Sequence, residues 1–136
     1  MGKNKIKSKL KIIELNEGKN VFAFGKYKFS MYEVIHENCD AFGYTISDGN
    51  KVVGFTGDTT FCKNVEVIIE SSDIAFVDMS FINRTKDHMG VTDIIELSNK
   101  YGKKVQIIPT HMSDSARNYY KENIGNPPND GDLYEI

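Results

Sequence analysis

Apolar and polar positions follow two rhythms along this chain, a period of two in its first part and a period near 3.6 in parts of its second. Ser8 to Leu15 alternate and then become continuously apolar, which predicts a strand, with Asn16-Glu17-Gly18-Lys19-Asn20 as the turn after it. Val21–Phe24 predicts a second strand and Gly25-Lys26 a turn. Tyr27–His36 then predicts a long half-buried strand carrying Phe29, Met31 and Ile35, and Glu37-Asn38-Cys39-Asp40 a polar loop. Tyr44–Ser47 and Lys51–Thr56 are two short strands joined by Asp48-Gly49-Asn50, a strong hairpin signal.

Val65, Ile68 and Ile69 stand at helical spacing and predict a short helix over Lys63–Ser71. Ile74–Asp78 is an apolar run of strand length, and an irregular loop, Ser80–Gly90, leads from it into a helix over Val91–Tyr101 with Ile94, Ile95 and Leu97 on its inner side. Gly102 is placed to close that helix in the left-handed conformation. Lys104–Pro109 predicts a buried strand, Ser113 caps a last helix over Asp114–Asn123, and Leu133–Ile136 predicts a closing strand. Antiparallel strands followed by strand–helix alternation give an α/β (α+β) class with a mixed sheet.

Composition narrows the picture. A chain of 136 residues suits one domain spanning 1–136. Its 40% apolar and 26% charged residues exclude a disordered segment, and a net charge of −2 provides no general attraction to polyanions. The Lys3, Lys5, Lys7, Lys9, Lys11 comb fits a phosphate contact, an edge protected from pairing, or a solvated start. No apolar run approaches a membrane span and Met1–Lys11 lacks the apolar stretch of a secretory signal, so a cytoplasmic protein is expected. Cys39 and Cys62 are then free thiols.

The chemistry concentrates in few residues. All three histidines lie in or beside loops that follow predicted strands: His36 ends Tyr27–Ile35, His88 lies in the loop after Ile74–Asp78, and His111 follows Val105–Ile108. Asp58 leaves a strand at the Thr56-Gly57-Asp58-Thr59 turn, where strands of an open sheet present ligands. Imidazole and carboxylate on separate loops are what a hydrolytic divalent-metal site uses, though spacing alone leaves scattered histidines equally open.

The segments Tyr32–His36 with Ala41–Ile46, then Phe55–Thr59, His88–Val91 and Ile108–Ser113 resemble, in order and spacing, the later motifs of metallo-β-lactamase-fold hydrolases, in the ribonuclease Z and phosphodiesterase branch. The resemblance covers roughly residues 21–136 and implies the carboxyl-terminal half of an αββα sandwich with helices on one face of a mixed sheet. It implies that His36 binds one metal, Asp58 bridges two and takes part in catalysis, and His111 binds the second. His88 is implied to be a catalytic group facing the substrate, whose imidazole donates or accepts a proton near neutrality, against the plainer reading of a loop histidine that caps the next helix. Thr59 and Ser80 are open between hydroxyls near a phosphate and ordinary loop residues. The implied reaction is hydrolysis of a phosphodiester, such as RNA or a cyclic nucleotide, by a hydroxide shared between two Zn2+ ions, with Mn2+ or Fe as alternatives.

The family's His-x-His-x-Asp-His motif is absent from this chain. Metal binding by the isolated chain is therefore expected to be weak or absent, and turnover with it. The expected partners are a complementary amino-terminal half or, because half a sandwich leaves a sheet face bare, a second copy in a homodimer. The alternative function is a non-catalytic fragment or remnant that self-associates through that face.

Overall fold

A computed structural model of the chain describes residues 20–136. The strand expected over Ser8–Leu15 and the lysine comb lie outside the described residues. Within them the strands are β1 (Val21–Phe24), β2 (Tyr27–His36), β3 (Cys39–Ser47), β4 (Val52–Phe55), β5 (Ile74–Asp78) and β6 (Gln106–Thr110). The helices are α1 (Lys63–Glu70), α2 (Val91–Tyr101) and α3 (Asp114–Asn123). The strands form one mixed sheet in chain order, antiparallel from β1 to β4 and parallel from β4 to β6.

Register assigns each side chain to a face. Pairing of Tyr44 with Phe55 and of Phe55 with Phe76 aligns three rings on one side, and Phe22 and Phe29 pair on that same side further along. The opposite side carries Gly43, Thr45, Gly54, Ala75 and Val77, and α1 lies on it, close enough that a Cβ on Gly43 would meet Ile68 Cδ1 at 2.5 Å. The apolar stripe Val65, Ile68 and Ile69 of α1, with Ile94 and Leu97 of α2, completes a core that includes Met79, Met89 and Val91. Helices therefore cover one face, as expected. Among the described residues no helix covers the other face over β1–β4, and Phe24, Tyr27, Ile35 and Phe42, all in register on it, are exposed.

The structure corrects several expectations. The loop expected over Glu37–Asp40 shrinks to a two-residue turn, because Asn38 takes the left-handed conformation (φ 64°) that a tight hairpin needs, and β3 starts at Cys39. Gly102 closes α2 with φ −61°, in the right-handed region; its small size matters because a Cβ there would collide with the Ser98 carbonyl. Ile95 is exposed, since the buried stripe runs Val91, Ile94, Leu97, Tyr101 and leaves it on the flank. Residues 133–136 form no strand: Tyr134 packs its ring edge-on against Phe76 instead of joining a ladder. Among the described residues no helix is long and apolar enough to cross a membrane.

Candidate metal centre

The ends of β2, β4, β5 and β6 converge, and each delivers one polar group. At β2 the chain is held by Thr59, whose hydroxyl accepts from the Ile35 amide at 3.1 Å and donates toward the Ile35 carbonyl at 3.0 Å. That pair sets His36 beside the turn that carries Asp58. Gly57 makes the turn possible with φ +64°, a conformation that costs a glycine little. Thr59 is fully buried, so its role is to join these two segments.

Asp78, at the end of β5, is the hub. It is buried, and its carboxylate accepts from four donors: the Thr59 amide at 2.9 Å, the Ser80 amide at 2.9 Å, the Ser80 hydroxyl at 2.7 Å and His88 Nδ1 at 2.8 Å. A carboxylate so surrounded is the usual way a buried charge is tolerated. Sequence reading took Asp78 only as the last residue of a strand; the available signal was a carboxylate closing an apolar run two residues before Ser80, at the start of a histidine-bearing loop.

The hydrogen bonds also set the two ring tautomers. A carboxylate only accepts, so His88 carries its proton on Nδ1. Ser80 gives its single hydroxyl proton to Asp78, so Ser80 Oγ accepts from His111 Nδ1 at 2.8 Å. His88 and His111 are thereby left with Nε2 lone pairs unspent, as metal-ligating or proton-accepting imidazoles require. His111 has φ 57°, a left-handed value that is uncommon for a side chain with a Cβ, and its Nδ1 stands 3.4 Å from Asp58 Oδ1.

Potential ligand atoms of His36, Asp58 and His88 lie within 4.8 Å of one another, and so do those of Asp78, His88 and His111. The three histidine rings follow one another, His36 to His88 at 5.1 Å and His88 to His111 at 5.2 Å between centroids. All four residues singled out in the sequence thus meet, and His88, shared by both groups, is more central than its expected role beside the metals. It does not cap α2: the Gly90 amide donates to the Asp93 carboxylate at 2.9 Å instead. Cys39 Sγ lies 3.2 Å from His36 Nδ1, while Cys62 belongs to the fringe of the core, and both thiols are free.

The loop carrying His88 is anchored at three points. Arg84 pairs with buried Asp93 and stacks over Phe61, and this bond holds the guanidinium above its ordinary pKa. Lys86 pairs with Glu37, and Asp87 accepts the Glu37 amide at 2.7 Å. Gly90 lets the loop pass: a Cβ there would lie 2.5 Å from the Asn83 carbonyl carbon and 2.6 Å from the Arg84 amide.

Comparison with known proteins agrees with this layout. The sequence model of a family described as "Beta-lactamase superfamily domain" matches residues 2–112. No curated protein matches the sequence significantly. Among solved structures the chain is similar to the metallo-beta-lactamase fold protein YhfI from Bacillus subtilis, with TM-score 0.62 at 17% identity over 79% of this chain and 48% of that one. It is similar to a diphosphatase from the PhnP family, with TM-score 0.68 at 18% identity over 86% and 46%. Human tRNase Z, short form, gives TM-score 0.53 at 12% identity over 74% and 42%. The chain spans about half the length of these structures, and at such identities the likeness is one of fold.

Proposed function

The chain belongs to the β-lactamase superfamily domain family, and from that premise we propose that it is the carboxyl-terminal half of a metal-dependent phosphodiesterase. The observation that carries the reading is the meeting of His36, Asp58, His88 and His111 around the Asp78–Ser80 hub. The donor set suits zinc, manganese or iron: imidazoles, two of them oriented by hydrogen bonds from Nδ1, beside an exposed carboxylate that offers two oxygens. We assign His36 to one ion, His111 to the other and Asp58 to both. A divalent ion held there supplies a Lewis acid and lowers the pKa of bound water.

The chain's own residues do the rest. Asp78 holds the His88 Nδ1 proton, which leaves Nε2 to accept a proton and return it to the leaving oxygen of the ester. Ser80 keeps His111 turned the same way. The similarity to a diphosphatase and to tRNase Z supports a phosphoester substrate, with RNA or a cyclic nucleotide as the class proposed. A cytoplasmic setting suits two free thiols.

The remaining ligands would come from a half bearing His-x-His-x-Asp-His, a motif this sequence lacks. The test uses manganese and bis(p-nitrophenyl) phosphate. The chain alone should bind the ion weakly and give no turnover; with an amino-terminal half supplied, activity should appear and Asp58→Ala should remove it together with the metal. His88→Ala should lower turnover and spare metal content. Metal loss in the His88 variant would make that residue a ligand, and robust turnover by the chain alone would refute the two-half reading.

A second reading rests on the open sheet face. Without its other half the chain would self-associate as a non-catalytic homodimer, face to face over Phe22, Phe29, Tyr44 and Phe55. Sedimentation equilibrium at micromolar concentration decides it, a stable monomer being the adverse result.

A further inference from the structure

Residues 128–134 turn back over the β5–β6 end of the sheet and border a half-open pocket of about 490 Å3, within the range of small-molecule sites. Phe76 and Ile108 of the open face line it, and the Tyr134 ring stands beside Phe76 at 5.8 Å and an interplanar angle of 80°. His111, from the candidate metal centre, lines it as well. The cavity is therefore an annex of that centre, walled by flat apolar groups.

Its polar groups are unequal. Arg117 spends two of its five N–H donors on fastening the loop, through Nη1 to the Pro128 carbonyl at 2.9 Å and through Nη2 to Asn129 Oδ1. Asp132 spends one oxygen, Oδ2, on the loop's own turn, accepting the Asn129 amide at 2.8 Å. Asp130 lines the cavity and makes no hydrogen bond among the described residues. Two carboxylates against one guanidinium give the lining a net negative charge, and Asp130 keeps both oxygens free. That disfavours a second phosphate or a carboxylate, and favours a flat ring with N–H groups on its edge.

We infer that this cavity receives the base of a nucleotide whose phosphate lies at His111, with the ring against Phe76 and Tyr134 and its N–H edge on Asp130. Guanine fits best, because two adjacent N–H groups on its edge match the two oxygens of one carboxylate. The inference rests on the phosphoesterase reading for the placement of the phosphate, but the base site itself needs no metal.

The test is titration calorimetry of the full chain, without added metal, against guanosine, adenosine, uridine and ribose 5-phosphate. Guanosine should bind tightest and ribose 5-phosphate not measurably. Asp130→Asn should bring guanosine down to the affinity of adenosine, and Tyr134→Ala should weaken every nucleoside about tenfold, the scale of one lost stacking contact. Asp130 is exposed, so its variant serves if Tyr134→Ala disturbs folding. Manganese uptake, read separately by electron paramagnetic resonance, should be unchanged in both. Absent nucleoside binding, or equal binding of ribose 5-phosphate, overturns the base site; guanosine binding with no hydrolysis even after an amino-terminal half is supplied keeps the base site and counts against the hydrolase reading alone.

Discussion

The two faces of the sheet are made by the same strands and differ in what they offer a neighbour. The covered face is small: Gly43, Thr45, Gly54, Ala75 and Val77 let α1 settle so near that Gly43 and Gly54 have no room for a Cβ. The open face is large and aromatic, with Phe22 stacked on Phe29 at 4.8 Å, Tyr44 on Phe55 at 4.8 Å and Phe55 on Phe76 at 5.1 Å. Small side chains suit a partner held at fixed close distance, while half-buried rings suit one whose own side chains interdigitate. A soluble monomer rarely leaves so continuous an apolar face to water, and that is the ground on which the open face is proposed as a contact surface.

Substitutions should separate the faces by size of effect. The largest is expected from Ile68→Ala, which empties the fully buried position under Gly43 and should cost about 2–5 kcal/mol in denaturant unfolding. Gly43→Ala comes next, with an overpacking cost of about 1–3 kcal/mol, since Ile68 and the Phe55 and Thr56 carbonyls all stand within 3 Å of the new atom. A near-neutral result for Gly43→Ala would mean that α1 is not seated as described.

Acid should act at the rim of the sheet among other places. The Val52 amide, at 2.8 Å, holds the Asp73 carboxyl below its ordinary value of 3.8, with Lys51 assisting. Its contribution is thus fully present above about pH 4 and is lost as pH falls through the depressed folded value. Because the side chain is over a third exposed, the loss should stay under about 1 kcal/mol. Asp73→Asn should make melting temperature fall less steeply with acid in that window, leaving the part due to Asp48 and Glu66, whose carboxyls are also held low by hydrogen bonds. The smallest effect on stability is expected from Phe24→Ser on the open face, at 72% exposure, within about 0.5 kcal/mol. The same change should weaken self-association in sedimentation, which a surface without a partner would not show.

Where local chemistry decides the structure, the sequence was readable. Ile74–Asp78, Val91–Tyr101 and Asp114–Asn123 fall where periodicity and capping put them, and Ser113 accepts the Ala116 amide as a cap should. The Asp48-Gly49-Asn50 hairpin turns as expected, with Gly49 at φ 98° and the Asp48 carboxylate accepting the Asn50 and Lys51 amides. That His36, Asp58, His88 and His111 stand at or just after strand ends was legible, but spacing alone left scattered histidines equally open, and it was the resemblance that implied they gather. What stayed hidden depended on distant contacts. Asp78 became a hub only through donors from Thr59 and His88, and Leu133–Ile136 had the composition of a strand but found no edge to pair with. Ile95 missed the buried stripe by the angle of one residue, which apolar character alone does not reveal.

Strand order in the sheet equals chain order, and this bears on how the protein comes into being on the ribosome. Among the described residues each strand, as it emerges, finds its earlier neighbour in the sheet already made, so these six strands can extend by accretion with none waiting for a later one to be inserted beside it. The first three pairings are local hairpins or near-hairpins and close in microseconds, whereas the parallel β5 and β6 must each await a crossing helix or loop. The metal centre follows the same timetable. A nascent chain holding His36 and Asp58 has neither Asp78 nor His88 until some 20–30 further residues have been translated, and it has no His111 until β6 is complete, so of this half's candidate ligands an early metal ion would find only the His36 imidazole and the Asp58 carboxylate.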